Sequence, residues 1–268
     1  MKKRILGAAI IVAIVLPILL KGGILFALLS LLLGLLAFKE IYDIKYKDAE
    51  KKISFLLQVL SYLCVAFLIM NNYESKELAI TLDYRVLSLF LITYLMPVVI
   101  IDNQKKYNIE DAMYLLASTI FIGLSFNLLI LMRNFSLLYI LYFFIITVMT
   151  DTFGLFTGMF IGKHSLAKKI SPKKTIEGLI GGTLMGVFAA CTFYLTVINP
   201  DIELSYLLIV TITLSLMGQF GDLVFSAIKR HFDKKDFSNL IPGHGGILDR
   251  FDSIIFVMIT AILFMSVI

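Results

Sequence analysis

Ala112-Met-Tyr-Leu-Leu-Ala-Ser-Thr-Ile-Phe-Ile-Gly-Leu-Ser-Phe-Asn-Leu-Leu-Ile-Leu-Met132 passes from residue 112 to residue 132 without a charged side chain. A helix needs about 20 mainly apolar residues to cross ~30 Å of hydrocarbon, and this stretch is long enough. Working outward, eight more runs come near that length: 5–20, 24–38, 53–70, 86–101, 136–160, 179–198, 205–225 and 252–268. Of the 268 residues 59% are hydrophobic and only 16% charged, and the mean hydropathy is +0.93. Soluble domains carry roughly 25% charged residues, so this balance cannot be hidden in a soluble core. Alternation with period 2 is absent, which argues against a barrel. The expectation is an all-α polytopic membrane protein with about nine transmembrane helices.

Lys2-Lys3-Arg4 followed by 5–20 resembles a secretory signal, but no small-residue cleavage site follows. Lys21-Gly22-Gly23 leads straight into the next apolar run, so 5–20 reads as a retained first span. Orientation follows from lysine and arginine placement. With the N-terminus inside, segments 1–4, 39–52, 102–111, 161–178 and 226–251 hold twenty basic residues. The outer segments hold four: Lys21, Lys76, Arg85 and Arg133. The bias favours a cytoplasmic N-terminus, an odd number of spans and a C-terminus outside.

Cys64 and Cys191 both lie in apolar runs, and no CxxC or Cys/His cluster exists, so zinc sites and disulfides are not expected. Gly154, Gly158 and Gly162, then Gly178, Gly182 and Gly186, recur at a four-residue step and line one helix face each. That pattern lets two helices approach closely. Gly158-Met-Phe-Ile-Gly162-Lys163 is one residue short of a P-loop and sits in a membrane helix, so it is not a nucleotide loop.

Costly polar residues concentrate in the last 120 or so positions, on the inner side. Asp151-Thr152 interrupts the sixth apolar run. The loop from Gly162 to Thr175 has five lysines and no acidic residue; it reads either as a positive-inside loop attracting anionic lipid or as a lysine clamp for a triphosphate. Pro172 breaks any helix there, Thr175 can cap the next one, and Glu177 falls in its first turn. If the eighth helix continues through Arg230, Asp222, Ser226 and Lys229 share one face. Asp249 and Asp252 share a face at the start of the ninth. Pro242-Gly243-His244-Gly245-Gly246 precedes them and forces an irregular turn with exposed backbone N–H groups. Carboxyls beside Lys, Arg and a glycine-rich turn suit a metal–phosphate site, with salt bridges among these residues as the competing reading. His231 reads as surface; His164 is open between roles.

At this point a resemblance enters. Ser226-Ala-Ile-Lys229-Arg230, then Lys235-Asp236, then Pro242-Gly-His244-Gly-Gly-Ile-Leu-Asp249-Arg250-Phe-Asp252 resembles the signature of phosphatidate cytidylyltransferases, or CDP-diglyceride synthases. So do Lys168–Gly178 and Asp151-Thr152; residues 1–150 match only in span pattern. The resemblance implies transfer of CMP from CTP to phosphatidate, giving CDP-diacylglycerol and pyrophosphate. It implies Mg2+, with K+ the candidate second cation at a paired site, and it carries metal binding to Asp222 and Asp249, with Asp252 as a third candidate. Catalytic roles fall to Asp222, Asp249, Lys229, Arg230, His244 and Arg250. Substrate contacts fall to Asp151, Ser171, Lys173, Lys174, Thr175, Ser226, Gly245 and Gly246. It further implies a homodimer in the bacterial inner membrane, its site open to the cytoplasm and to membrane lipids, with no nucleic-acid partner. Residues 1–150 would form a scaffold with possible dimer contacts, and residues 151–268 the catalytic region with inner loops 161–178 and 226–251. Two positions depart from the pattern. Phe225 stands where the family often has glutamate, and Phe153-Gly154-Leu155 follows Asp151-Thr152 where a small residue and an Ala-Tyr pair are common.

The phosphatidate phosphate is already anionic at neutral pH, so no general base is essential, and catalysis should be positioning and charge neutralisation. One rival is a CTP-dependent lipid kinase, which would release CDP. Another is a transporter, although charges clustered at one membrane face fit that less well.

Overall fold

The computed structural model describes residues 13, 15–47, 53–75, 83–101, 103–240 and 245–265. Most of the run 5–20, and His244 with its neighbours 241–243, lie outside the described residues. Helix dominates what is described. Among the described residues five helices are long and apolar enough to cross a membrane, as in a polytopic membrane protein. The chain divides into two compact units: residues 1–135 with 237–247, and residues 136–236 with 248–268.

The first unit holds α1 (Gly23–Tyr46), α2 (Phe55–Met70), α3 (Tyr84–Ile100) and α4 (Ile109–Phe135). α4 contains the opening stretch and forms the centre, packing on α1, α2 and α3. Its few polar side chains serve helix ends, where carbonyls lack intrahelical partners. Asn127 Nδ2 donates to the carbonyls of Ile69 and Asn71 at 2.9 and 2.6 Å, closing the end of α2. Arg133 donates to the carbonyls of Leu19 and Leu20 at 2.5 and 2.7 Å. At the start of α4, Asn108 Oδ1 accepts from Asp111 N–H at 2.9 Å while Asp111 Oδ2 accepts from Asn108 N–H at 3.1 Å. This is a reciprocal cap. The buried Asp111 also receives Tyr46 Oη and Lys45 Nζ, each at 3.1 Å.

The second unit holds α5 (Leu137–Ile161), an antiparallel hairpin of β1 (Ser165–Ala167) and β2 (Ser171–Thr175), α6 (Ile176–Phe193), α7 (Leu204–His231) and α8 (Leu248–Met265). A π-helical turn, Tyr194–Ile198, extends α6. The hairpin is a small addition to an otherwise helical fold: Pro172 bars helix, and its missing N–H is tolerated in a short two-stranded pair. Thr175 ends β2 and caps α6, its Oγ1 accepting from Gly178 N–H at 3.0 Å, as the sequence predicts.

α5 and α6 form the closest helix pair. The two glycine rows face each other. A Cβ on Gly178 would stand 2.7 Å from the Gly154 carbonyl oxygen, and one on Gly182 would stand 2.5 Å from that of Thr150. Backbone therefore meets backbone, as the four-residue step implies. α7 and α8 pair in the same unit, where a Cβ on Gly221 would meet Phe256 at 2.7 Å. Both cysteines are buried and unbridged; Cys191 Sγ lies 3.4 Å from Thr211 Oγ1.

Candidate active site

The second unit contains a cavity of about 830 Å³ between α5, β2, α6, α7 and α8. Each wall brings one kind of group. α5 contributes Asp151 one residue beyond Thr150, where the glycine contact with α6 begins. β2 contributes Lys173, Lys174 and Thr175. α7 contributes Gln219, Asp222 and Lys229, because it does continue through Arg230 and so aligns residues three, four and seven apart on one face. The first two turns of α8 contribute Asp249, Arg250, Asp252 and Ser253.

Two ion pairs cross this cavity. Lys174 Nζ is 2.5 Å from Asp222 Oδ2, with both side chains about a quarter exposed. Lys229 Nζ is 2.7 Å from Asp249 Oδ1, with the side chains only 10% and 6% exposed. Asp222 and Lys229, on one face of α7, are each paired with a residue from another element. Lys174 Nζ also donates to the Gln219 carbonyl at 3.3 Å, and Ser226 Oγ lies 3.4 Å from Asp222 Oδ1. Asp151 interacts with Lys174, Asp222 and Ser253, and Asp252 feels the charges of Asp222, Asp151 and Lys229. Acidic and basic side chains thus share one lining.

Other candidates stand elsewhere. Arg230 is exposed and does not line the cavity; its guanidinium donates to the carbonyls of Lys234 at 2.8 Å and Ile170 at 3.4 Å. It ties the turn after α7 to the turn between the strands. Ser171 starts β2, paired with Ala167, and Ser226 is buried on α7; neither lines the cavity. Gly245, at φ +79°, and Gly246 belong to the first unit. His164 Nδ1 contacts Glu177 Oε1 at 2.6 Å, and His231 is exposed against Phe232. Phe225 is fully buried, its ring edge-on to Phe256 with centroids 6.2 Å apart, and takes no part in the lining.

Asp236 and Gln219 are among the lining residues that carry no role in the sequence reading. Asp236 lies within the quoted motif. Gln219 is an amide inside a membrane helix, three residues before Asp222, and that isolation is the signal that marks it. Its Nε2 donates to Thr183 Oγ1 at 2.9 Å and to the Leu179 carbonyl at 3.3 Å, fixing α7 against α6.

Comparison with known proteins decides the family. The model of the cytidylyltransferase family matches residues 2–268. The chain belongs to the cytidylyltransferase family. Relatives named phosphatidate cytidylyltransferase include one from Staphylococcus epidermidis, 38% identical over 261 residues, and one from Staphylococcus saprophyticus, 36% identical over 260. A third, from Staphylococcus aureus, is 36% identical over 258 residues. Each alignment covers 96% of this chain and 96% of the relative. For a cytidylyltransferase the lining has the needed chemistry: hard carboxyl oxygens for a divalent cation, and ammonium and guanidinium groups for phosphates. Among the described residues no three or more His, Cys, Asp or Glu side chains form a metal cage.

Proposed function

We propose that this cytidylyltransferase joins CTP to phosphatidate, making CDP-diacylglycerol and releasing pyrophosphate. One observation carries the reading. Asp222 and Asp249 line a single cavity with Lys173, Lys174, Lys229 and Arg250, in a chain related along nearly its whole length to phosphatidate cytidylyltransferases.

In this reading a phosphatidate phosphate oxygen attacks the α-phosphorus of CTP in line. The new P–O bond forms as the bond to the β-phosphate oxygen breaks, and pyrophosphate leaves with that electron pair. Asp222 and Asp249, with Asp252 as a third candidate, would hold Mg2+, which would supply charge neutralisation to the phosphates; K+ is the second-cation candidate. Lys173, Lys174, Lys229 and Arg250 spread the remaining negative charge. Lys174 and Lys229 are already held at fixed points by their aspartates, so little ordering is left for the substrate to impose. His244 is assigned a phosphate hydrogen bond, and Ser171, Thr175, Ser226, Gly245, Gly246 and Asp151 the substrate's surroundings. Arg230 is assigned a holding role, because its donors are engaged by main-chain carbonyls.

The wider setting is part of the proposal: nine spans, N-terminus in the cytoplasm, C-terminus outside, a homodimer in the bacterial inner membrane, residues 1–150 as scaffold and 151–268 as catalytic region. The basic-residue bias supports this orientation and a cavity whose polar walls face the cytoplasm. The test is product identity. Purified protein is given CTP or ATP, phosphatidate and Mg2+, with and without K+, and the lipid product is analysed. CDP-diacylglycerol with pyrophosphate is expected from CTP. CDP with a phosphorylated lipid would replace this reading by a lipid kinase.

A further inference from the structure

Glu40 sits near the end of α1, 4% exposed, in a helix that is otherwise largely apolar. A buried carboxyl group is costly unless donors meet it. Two donors from one distant segment do. Ser238 Oγ donates to Glu40 Oε1 at 2.6 Å, and the Ile247 N–H donates to the same oxygen at 2.8 Å. Ser238 Oγ in turn accepts from Leu240 N–H at 3.1 Å. The main chain of Gly246 lies flat on the carboxyl: a Cβ there would stand 2.5 Å from Oε1 and 2.6 Å from Oε2. Only glycine allows that approach, and the left-handed Gly245 brings the chain into it.

Ser238 precedes the Pro-Gly-His-Gly-Gly stretch and Ile247 follows it, so one side-chain oxygen holds both flanks. Asp249 comes two residues after Ile247. We infer that Glu40 is a positioning residue for the cytidylyl transfer: it clamps Ser238, Gly246 and Ile247 and thereby sets where the chain delivers Asp249. The inference rests on the proposed role of Asp249 and the glycine-rich turn. Consecutive Cα atoms are about 3.8 Å apart, so a released Ile247 can displace Asp249 by an ångström or more. A misplacement of that size costs on the order of 100-fold in rate.

The test compares Glu40→Ala, Glu40→Gln and Gly246→Ala in the full-length protein. kcat and KM for CTP and phosphatidate are measured on the folded fraction, beside thermal unfolding. Glu40→Ala should lower kcat by about 10- to 100-fold. Glu40→Gln keeps an oxygen that accepts both donors and should stay within about threefold of wild type. Gly246→Ala, which pushes the carboxyl away, should match Glu40→Ala, and the double variant should be no worse than the worse single one. Glu40→Ala with unchanged kcat and KM overturns the inference, even if its melting temperature falls. So does a Glu40→Gln as impaired as Glu40→Ala. If Glu40→Ala does not fold, a fully active Gly246→Ala overturns it equally. Asp249→Asn separates the two readings: an active Asp249→Asn means the site assignment fails, and an inactive one beside an active Glu40→Ala means only the clamp fails.

Discussion

Lys229 Nζ meets Asp249 Oδ1 at 2.7 Å with both side chains nearly withdrawn from solvent, joining the end of α7 to the start of α8. A pair this deep leaves an uncompensated charge if either partner is removed, at a cost of about 3–5 kcal/mol. Asp249→Asn keeps an oxygen for Lys229 but not the charge, so it should melt lower while still folding, and turnover should fall by at least about 100-fold. Lys229→Ala should lose both activity and stability. Pyrophosphate release and thermal melts of the two variants check this, and near-normal turnover in Asp249→Asn would remove Asp249 from the site.

The other pair behaves differently. Lys174 and Asp222 are each about a quarter exposed, and exposed pairs stabilise by about 0–1 kcal/mol. Lys174→Gln should therefore melt close to wild type yet bind CTP more weakly, seen as a KM raised about tenfold or more. An unchanged KM would mean that Lys174 faces no phosphate.

Chelation should stop turnover, and Mg2+ should restore it. Because the carboxyls do not form a closed cage among the described residues, the metal should contribute little to stability without nucleotide. A melting temperature that rises with Mg2+ alone, by the several degrees that about 1–2 kcal/mol produces, would instead indicate a preformed metal centre.

Phe225 offers a control away from the chemistry. Its ring is fully buried against Phe256, so Phe225→Ala should cost about 3–5 kcal/mol. Activity per folded molecule should stay within a few-fold. Phe225→Glu, which supplies the residue that the resemblance implies there, should destabilise further by burying a carboxyl group and should not raise turnover. A gain in kcat for Phe225→Glu would show that the side chain reaches the reacting groups after all.

Gly182→Ala should do harm through the α5–α6 contact. Its Cβ would press on the Thr150 carbonyl at 2.5 Å, next to Asp151. A loss of about 1–3 kcal/mol with reduced activity is expected, measured by melting and turnover. A wild-type melting temperature would mean that the helices have slack there.

Local physics made much of this legible in the sequence. Apolar run length marked the helices, the i, i+4, i+7 spacing placed Asp222, Ser226 and Lys229 on one face, and Thr175 declared its own cap. The four-residue glycine step announced the α5–α6 seam. What escaped depends on partners far apart in the chain. Nothing near Lys174 says that it meets Asp222, and nothing near Glu40 says that it meets Ile247. The β1–β2 hairpin was hidden because five lysines describe a loop's charge but not its pairing. Phe225 looked like a missing ligand because a motif shows which residue stands at a position and not which way it points.

The glycine seam also bears on how the cavity treats different guests. Where Gly154 and Gly158 meet Gly178, the wall is main chain with no rotamers to exchange. Such a wall keeps its outline whatever enters. Adjustment falls instead to Leu155, Met159 and Leu166 on the same lining, whose side chains can turn. Rigidity and give therefore reside in different residues of one cavity and can be altered independently.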